Sequence, residues 1–281
     1  MKIAAVQFVS TGDTKANLEL ACEHIEEAAS HGARLIVLPE ATSQSFASGR
    51  LDTQAADLDG EFAQGLREVA LRLGVTVIAG MFRPADVVER TRDDGSVKTI
   101  HRVFNTALVT GASDDGEIHA GYDKIHTYDA FDYRESDTVK PGEKLFTFDL
   151  EGLTIGVAIC YDIRFPEQFK ALARAGAQVI AVPFSWADGP GKREQWRLLS
   201  TARALDSTSF IVAAGQARPG GEAEAGTPSG PTGAGHSVIV QPDGVRLAES
   251  GYEDDILYAD VDAETVARTR TALPVLEGPT F

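Results

Sequence analysis

The chain has 281 residues, 43% of them hydrophobic and 24% charged, and carries a formal net charge of −16. With no run of Lys and Arg to offset it, that acidic excess argues against a nucleic-acid backbone or an anionic membrane as partner. Only two cysteines occur, Cys22 and Cys160, without CxxC spacing; this argues against a disulfide framework or a thiolate zinc site and fits a reducing compartment, the cytoplasm.

Residues 3–9 read as a buried strand, too short and interrupted for a signal-peptide apolar region. From Asn17 to Ser30 the apolar residues Leu18, Ala21, Cys22 and Ile25 share one helical face, and the pattern ends near Gly32. Leu35-Ile36-Val37-Leu38 is a continuous apolar run stopped by Pro39, as expected of a strand covered on both faces. A helix followed by a strand recurs at 61–73 and 75–80, and again at 166–175 and 178–182. Asp94-Gly95, Asp115-Gly116 and Asp243-Gly244 lie between strand-like stretches and suit tight hairpin turns. Crossovers mixed with hairpins predict an α/β fold with mixed sheets. Residues 218–235 are rich in Gly, Pro and Ser and read as a loop, too late in the chain to be a linker. One domain covering 1–281 is the expectation.

Reactive groups in open α/β sheets lie just beyond the carboxyl ends of strands. That rule picks out Glu40, past the strand ending in Leu38-Pro39, and Cys160, at the end of Leu153-Thr154-Ile155-Gly156-Val157-Ala158-Ile159. Each also has a plainer reading, Cys160 as a small buried hydrophobe and Glu40 as a helix-start carboxylate. A cysteine that attacks an amide needs a base, a stabilised oxyanion and a proton for the leaving amine. None of the six histidines has the spacing of a cysteine partner, and their scatter offers no His-x₃-His metal site. Only His126 lies in a segment of unusual polar density, beside Lys124. The run Gly189-Pro190-Gly191-Lys192 fails the phosphate-loop pattern, which needs glycine where Trp186 stands and Ser or Thr where Arg193 stands.

Leu38-Pro39-Glu40-Ala41, Asp123-Lys124-Ile125-His126-Thr127-Tyr128-Asp129 and Cys160-Tyr161-Asp162-Ile163-Arg164-Phe165-Pro166-Glu167 together resemble the three signature blocks of the nitrilase superfamily, the carbon–nitrogen hydrolases, in that family's order. The similarity spans nearly the whole chain and is greatest to the branch of ω-amidases and deaminated glutathione amidases. Tyr133-Arg134-Glu135-Ser136-Asp137 resembles the segment where that branch keeps a second glutamate. The resemblance implies a four-layer α-β-β-α sandwich, a homodimer or higher homo-oligomer, no cofactor and no metal. It implies hydrolysis of a small carboxamide, such as an ω-amide of a dicarboxylate, to acid and ammonia through a cysteine thioester. The implied catalytic residues are Glu40 as general base, Lys124, Cys160 as nucleophile and Glu135 in support, with the backbone N–H of Tyr161 facing the oxyanion. The alternatives are a nitrilase or an N-carbamoyl amine hydrolase using the same residues, or a non-catalytic binding member.

Two carboxylates, a thiol and one ammonium leave such a site neutral to negative, so a substrate with its own carboxylate needs a further cation. Arg164, Arg134 and the segment 189–193 are candidates. For Arg164 the plainer reading, an ion pair with Asp162 or Glu167, is preferred; Lys192 and Arg193 are expected to face solvent. Phe184, Ser185 and Trp186 follow a strand end and are candidate pocket residues, with packing the alternative for Trp186 and Trp196. Gln195 stands where the branch often carries histidine, and the loop at 218–231 looks longer and richer in glycine than usual.

Overall fold

A computed structural model describes residues 1–91, 94–130 and 133–278. The first sheet uses β1 (Lys2–Gln7), β2 (Leu35–Val37), β3 (Thr76–Thr91), β4 (Val97–Ser113) and β5 (Gly116–Asp123). A two-stranded ribbon follows, β6 (Asp129–Ala130) with β7 (Tyr133–Arg134). The second sheet uses β8 (Thr147–Leu150), β9 (Leu153–Val157), β10 (Val179–Phe184), β11 (Phe210–Gly215), β12 (Val238–Val240) and β13 (Arg246–Glu249). The last strand, β14 (Asp255–Asp260), returns to the first sheet. Strand orders are β14-β1-β2-β3-β4-β5 and β13-β12-β11-β10-β9-β8. In each sheet three parallel strands sit at the centre, β1-β2-β3 and β9-β10-β11, with antiparallel strands on either side. The sheets are therefore mixed, as the combination of crossovers and hairpins predicts.

The side-chain alternation of β1 explains the layering. Ile3 and Ala5 face inward and pack with Val37, Ile155, Val157 and Val179 between the two sheets. Ala4 and Val6 face outward and pack with Ala21, Ile25, Phe62 and Leu66 of helices α1 (Thr14–Ser30) and α2 (Glu61–Leu73). Helices α3 (Pro166–Arg174) and α4 (Lys192–Ser207) contribute Phe169, Leu172, Trp196 and Ala204 to the apolar core with the second sheet, and α5 (Ala263–Ala272) adds Val266. The result is the expected α-β-β-α sandwich. Asp13 caps α1 by accepting from the N–H groups of Lys15 and Ala16. All three Asp-Gly pairs form hairpin turns, with Gly95, Gly116 and Gly244 at positive φ. Residues 218–235 form a loop interrupted by one 3₁₀ turn at Gly221–Glu224. Among the described residues no helix is long and apolar enough to cross a membrane.

Candidate active site

Glu40 lies three residues beyond the end of β2, where the chain folds back across β3. That return needs Gly80: a Cβ there would stand 2.6 Å from Glu40 Cα and 2.4 Å from the Ala41 nitrogen. The backbone of Gly80 also ties the turn down, donating to the Pro39 carbonyl and accepting from Ser43 N–H. Lys124 follows β5 directly, and its carbonyl accepts from Gly142 N–H at 2.8 Å. A Cβ at Gly142 would lie 2.1 Å from the Asp123 carbonyl oxygen, so only glycine allows that approach. Cys160 opens a 3₁₀ turn three residues after β9 and holds φ at +42°, the left-handed region that side chains rarely occupy. Such a turn lifts the sulfur away from the strand line and toward the opening between the sheets.

These loops bring the four sequence-predicted residues together. Lys124 Nζ lies 3.2 Å from Glu40 Oε1 and 3.1 and 2.9 Å from the two oxygens of Glu135. Glu40 Oε2 accepts from the Ser185 N–H at 2.8 Å, and Cys160 Sγ sits 3.7 Å from the Ser185 carbonyl. The Cys160 and Glu40 side chains also hydrogen-bond to one another. Glu40 is 1% exposed, Lys124 and Glu135 2%, and Cys160 7%. Glu40, Lys124, Glu135 and Cys160 line a single cavity, joined by Tyr161, Arg164, Ser185 and Trp186.

Burial pushes the Glu40 carboxyl above the usual carboxylate range; the Lys124 ammonium opposes this, and Glu135 reinforces it. Burial alone would pull Lys124 down, but Glu135 and then Glu40 outweigh it and hold the ammonium well above its ordinary value. Burial, followed by the Glu40 charge, raises Cys160 far above a free thiol, with Lys124 opposing. Lys124 favours the thiolate form, but burial and the Glu40 charge outweigh it. The balance favours the thiol form, beside a carboxylate that can take its proton as the sulfur attacks.

Asn105, in the middle of β4, was missed by the sequence analysis. Its Nδ2 donates to Glu40 Oε1 at 2.8 Å and to Glu135 Oε1 at 3.2 Å, and its carbonyl accepts from Lys124 N–H at 2.8 Å. The signal was a buried amide interrupting the apolar run from Val103 to Val109. Gln216 was missed as well; its Nε2 donates to the Glu40 carbonyl at 2.9 Å. Because the Asn105 N–H favours the charged form of Glu40, Asn105→Ala should move the acid limb of the pH–rate profile upward. The rate at neutral pH should fall about tenfold, read from ammonia release between pH 5 and 9.

Several other expectations are corrected. Phe184 does not line the cavity. Strand alternation turns it into the core, where it stacks on Trp196 at 3.8 Å above Gly215. Of the two tryptophans, Trp196 is packing and Trp186 is a cavity wall whose Nε1 donates to the Lys192 carbonyl. Ser185 takes part chiefly through its backbone. Arg164 pairs with neither Asp162 nor Glu167. Asp162 is taken up by Ile159 N–H, Tyr122 hydroxyl and both the backbone N–H and Nδ1 of His126. Arg164 instead donates to Gln195 Oε1 at 2.9 Å and lies over the Trp186 ring at 5.1 Å, with no ion pair among the described residues. Lys192 lines the cavity rather than facing solvent, and burial followed by the Arg164 charge lowers its pKa. Arg193 faces outward as expected, and Arg134, a candidate substrate cation, also faces outward and does not line the cavity.

His126 stacks on Phe165 at 3.6 Å and buttresses Asp162 behind the cysteine turn. It does not line the cavity. His126→Ala should therefore cost about 1–2 kcal/mol of stability in a denaturant titration while leaving a measurable rate of ammonia release. Among the described residues no group of three or more His, Cys, Asp or Glu side chains is placed to hold a metal ion.

A model of the carbon–nitrogen hydrolase family matches residues 2–271. Hydrolase Rv0480c of Mycobacterium tuberculosis is 44% identical over 283 residues, covering 100% of this chain and 96% of that protein. A deaminated glutathione amidase of Escherichia coli O157:H7 is 34% identical over 284 residues, covering 100% and 98%. Among solved structures, Saccharomyces cerevisiae Nit3, a member of branch 10 of the nitrilase superfamily, superposes with a TM-score of 0.76 at 28% identity, covering 98% of this chain and 94% of that one.

Proposed function

The chain belongs to the carbon–nitrogen hydrolase family, and on that premise we propose that it converts a small primary carboxamide bearing a carboxylate into the acid and ammonia. One observation carries this reading: a carboxylate raised by burial, an ammonium and a thiol from distant parts of the sequence meet in one enclosed cavity. In the proposed sequence the Cys160 sulfur attacks the amide carbon as its proton passes to Glu40. Lys124 Nζ and the Tyr161 N–H hold the resulting oxyanion. As the C–N bond breaks, Glu40 returns the proton to nitrogen and ammonia departs, leaving a thioester. Water then attacks the thioester and gives a proton to Glu40. Collapse releases the carboxylic acid, and the sulfur recovers its proton. Glu135 fixes the ammonium throughout by accepting from it with both oxygens.

The leaving nitrogen must lie beside Glu40, the most buried part of the cavity. That confinement favours ammonia over a larger amine. At the other end Arg164 and Lys192 supply the cations that a substrate carboxylate needs, which favours an ω-amide of a dicarboxylate. The test is an ammonia-release screen of short ω-amides, nitriles and carbamoyl amines. The ω-amides should be turned over fastest, and a preference for nitriles or carbamoyl amines would overturn the assignment.

A further inference from the structure

The cavity around Cys160 is tight, about 30 Å³, and runs from Glu40 to Arg164 and Lys192. It does not end there. Tyr128, Ala187, Lys192 and Pro231 also line a second chamber of about 280 Å³, whose far wall is Pro228 to Gly230 of the glycine-rich loop. The two spaces share one threshold, and Lys192 stands on it. Beyond that threshold the surroundings change character. Tyr128, Ala187, Pro190, Pro228 and Pro231 present mainly apolar surface. Asp188, the acid at the wall, is committed: its carboxylate accepts from Gly189 and Gly226 N–H and lies 3.5 Å from Arg218 Nε. The outer chamber thus offers an uncharged tail apolar walls that partly shield it from water, while a carboxylate at the threshold faces Arg164 and Lys192.

We propose that the substrate is a primary ω-amide whose carboxylate-bearing carbon also carries an uncharged N-acyl tail, and that this tail occupies the outer chamber beneath residues 228–231. The inference rests on the amidase reading of the inner cavity and deepens it. It also assigns a purpose to the lengthened loop, whose prolines wall the chamber.

Gly230 allows a direct test. A Cβ there meets nothing within 4 Å, and its φ lies outside the left-handed range, so Gly230→Phe adds bulk at the wall without backbone strain. The experiment measures kcat/KM for glutaramate and for N-benzoyl-L-glutamine with wild type and Gly230→Phe. The wild type should prefer the N-benzoyl compound about tenfold or more, since burying an aromatic ring is favourable by that factor. Gly230→Phe should erase most of the preference and leave the glutaramate rate unchanged. Should Gly230→Phe fail to fold, Pro228→Ala provides the second reading, with the preference reduced about two- to threefold. Glutaramate turned over with no advantage for the tail overturns this inference alone. So does a tail preference that neither variant alters. If neither compound releases ammonia, the amidase reading falls and this inference falls with it.

Discussion

Cys160→Ala should release ammonia at least about 10⁴-fold more slowly than wild type, because no other group in the cavity can form the thioester. The protein should remain folded. The substitution removes one sulfur atom from a site that is 7% exposed, and alanine meets the same left-handed φ of +42° that cysteine already tolerates. The loss of stability should stay near about 1 kcal/mol, read from urea unfolding. Cys22→Ala is the control: that thiol sits half-buried within α1, far from the cavity lining, and its loss should leave the rate intact. Ammonia release by Cys160→Ala at near wild-type rate would sink the mechanism.

Lys124→Ala should abolish activity by a different route and reveal itself in stability. Removing the ammonium leaves Glu40 and Glu135 buried together with no cation between them. Stranding buried charge in this way costs about 3–5 kcal/mol. The dependence on pH has a definite sign. Lys124 is what opposes the upward push on Glu40, so its loss sends that carboxyl higher still. A carboxyl raised in the folded state favours folding fully below the unfolded value of about 4.3. That contribution is lost as pH rises through the folded value. Relative to wild type, the variant's stability deficit should therefore be smallest at about pH 4 and grow as pH rises above it in chemical denaturation. A deficit that did not change with pH would show that the lysine acts there only as packing.

Glu40 and Cys160 were legible in the sequence because each follows a buried apolar strand, where reactive groups collect. Lys124 was not legible in that way. It follows the half-exposed strand β5, with nothing in its spacing to separate it from other lysines, and only the family resemblance marked it. The hairpins were legible from Asp-Gly, but the lengths of β3 and β4 were not. Their outer halves run on past the apolar pattern as an exposed ribbon held by backbone pairing. Asn105 escaped because a polar residue inside a strand gives no hint of what it faces across the core. Arg164 was misassigned because carboxylates two and three residues away seemed its natural partners. The 3₁₀ turn instead points Asp162 inward to the N–H of Ile159, leaving the guanidinium to the cavity.

Glu40, Asn105 and Lys124 hang from one slab of strands, while Cys160 and Ser185 hang from the other. The reactive centre is thus a seam, present only while two separately woven surfaces stay in register. Sliding one slab past the other by a single residue, about 3.3 Å, would carry the base out of reach of the sulfur without breaking any bond inside either sheet. Ile3, Val37, Ile155 and Val179, buried between the slabs and far simpler chemically than the groups they align, act as the bearing that prevents such slippage. Conservative changes in that bearing can therefore disturb turnover from a distance, through alignment rather than chemistry.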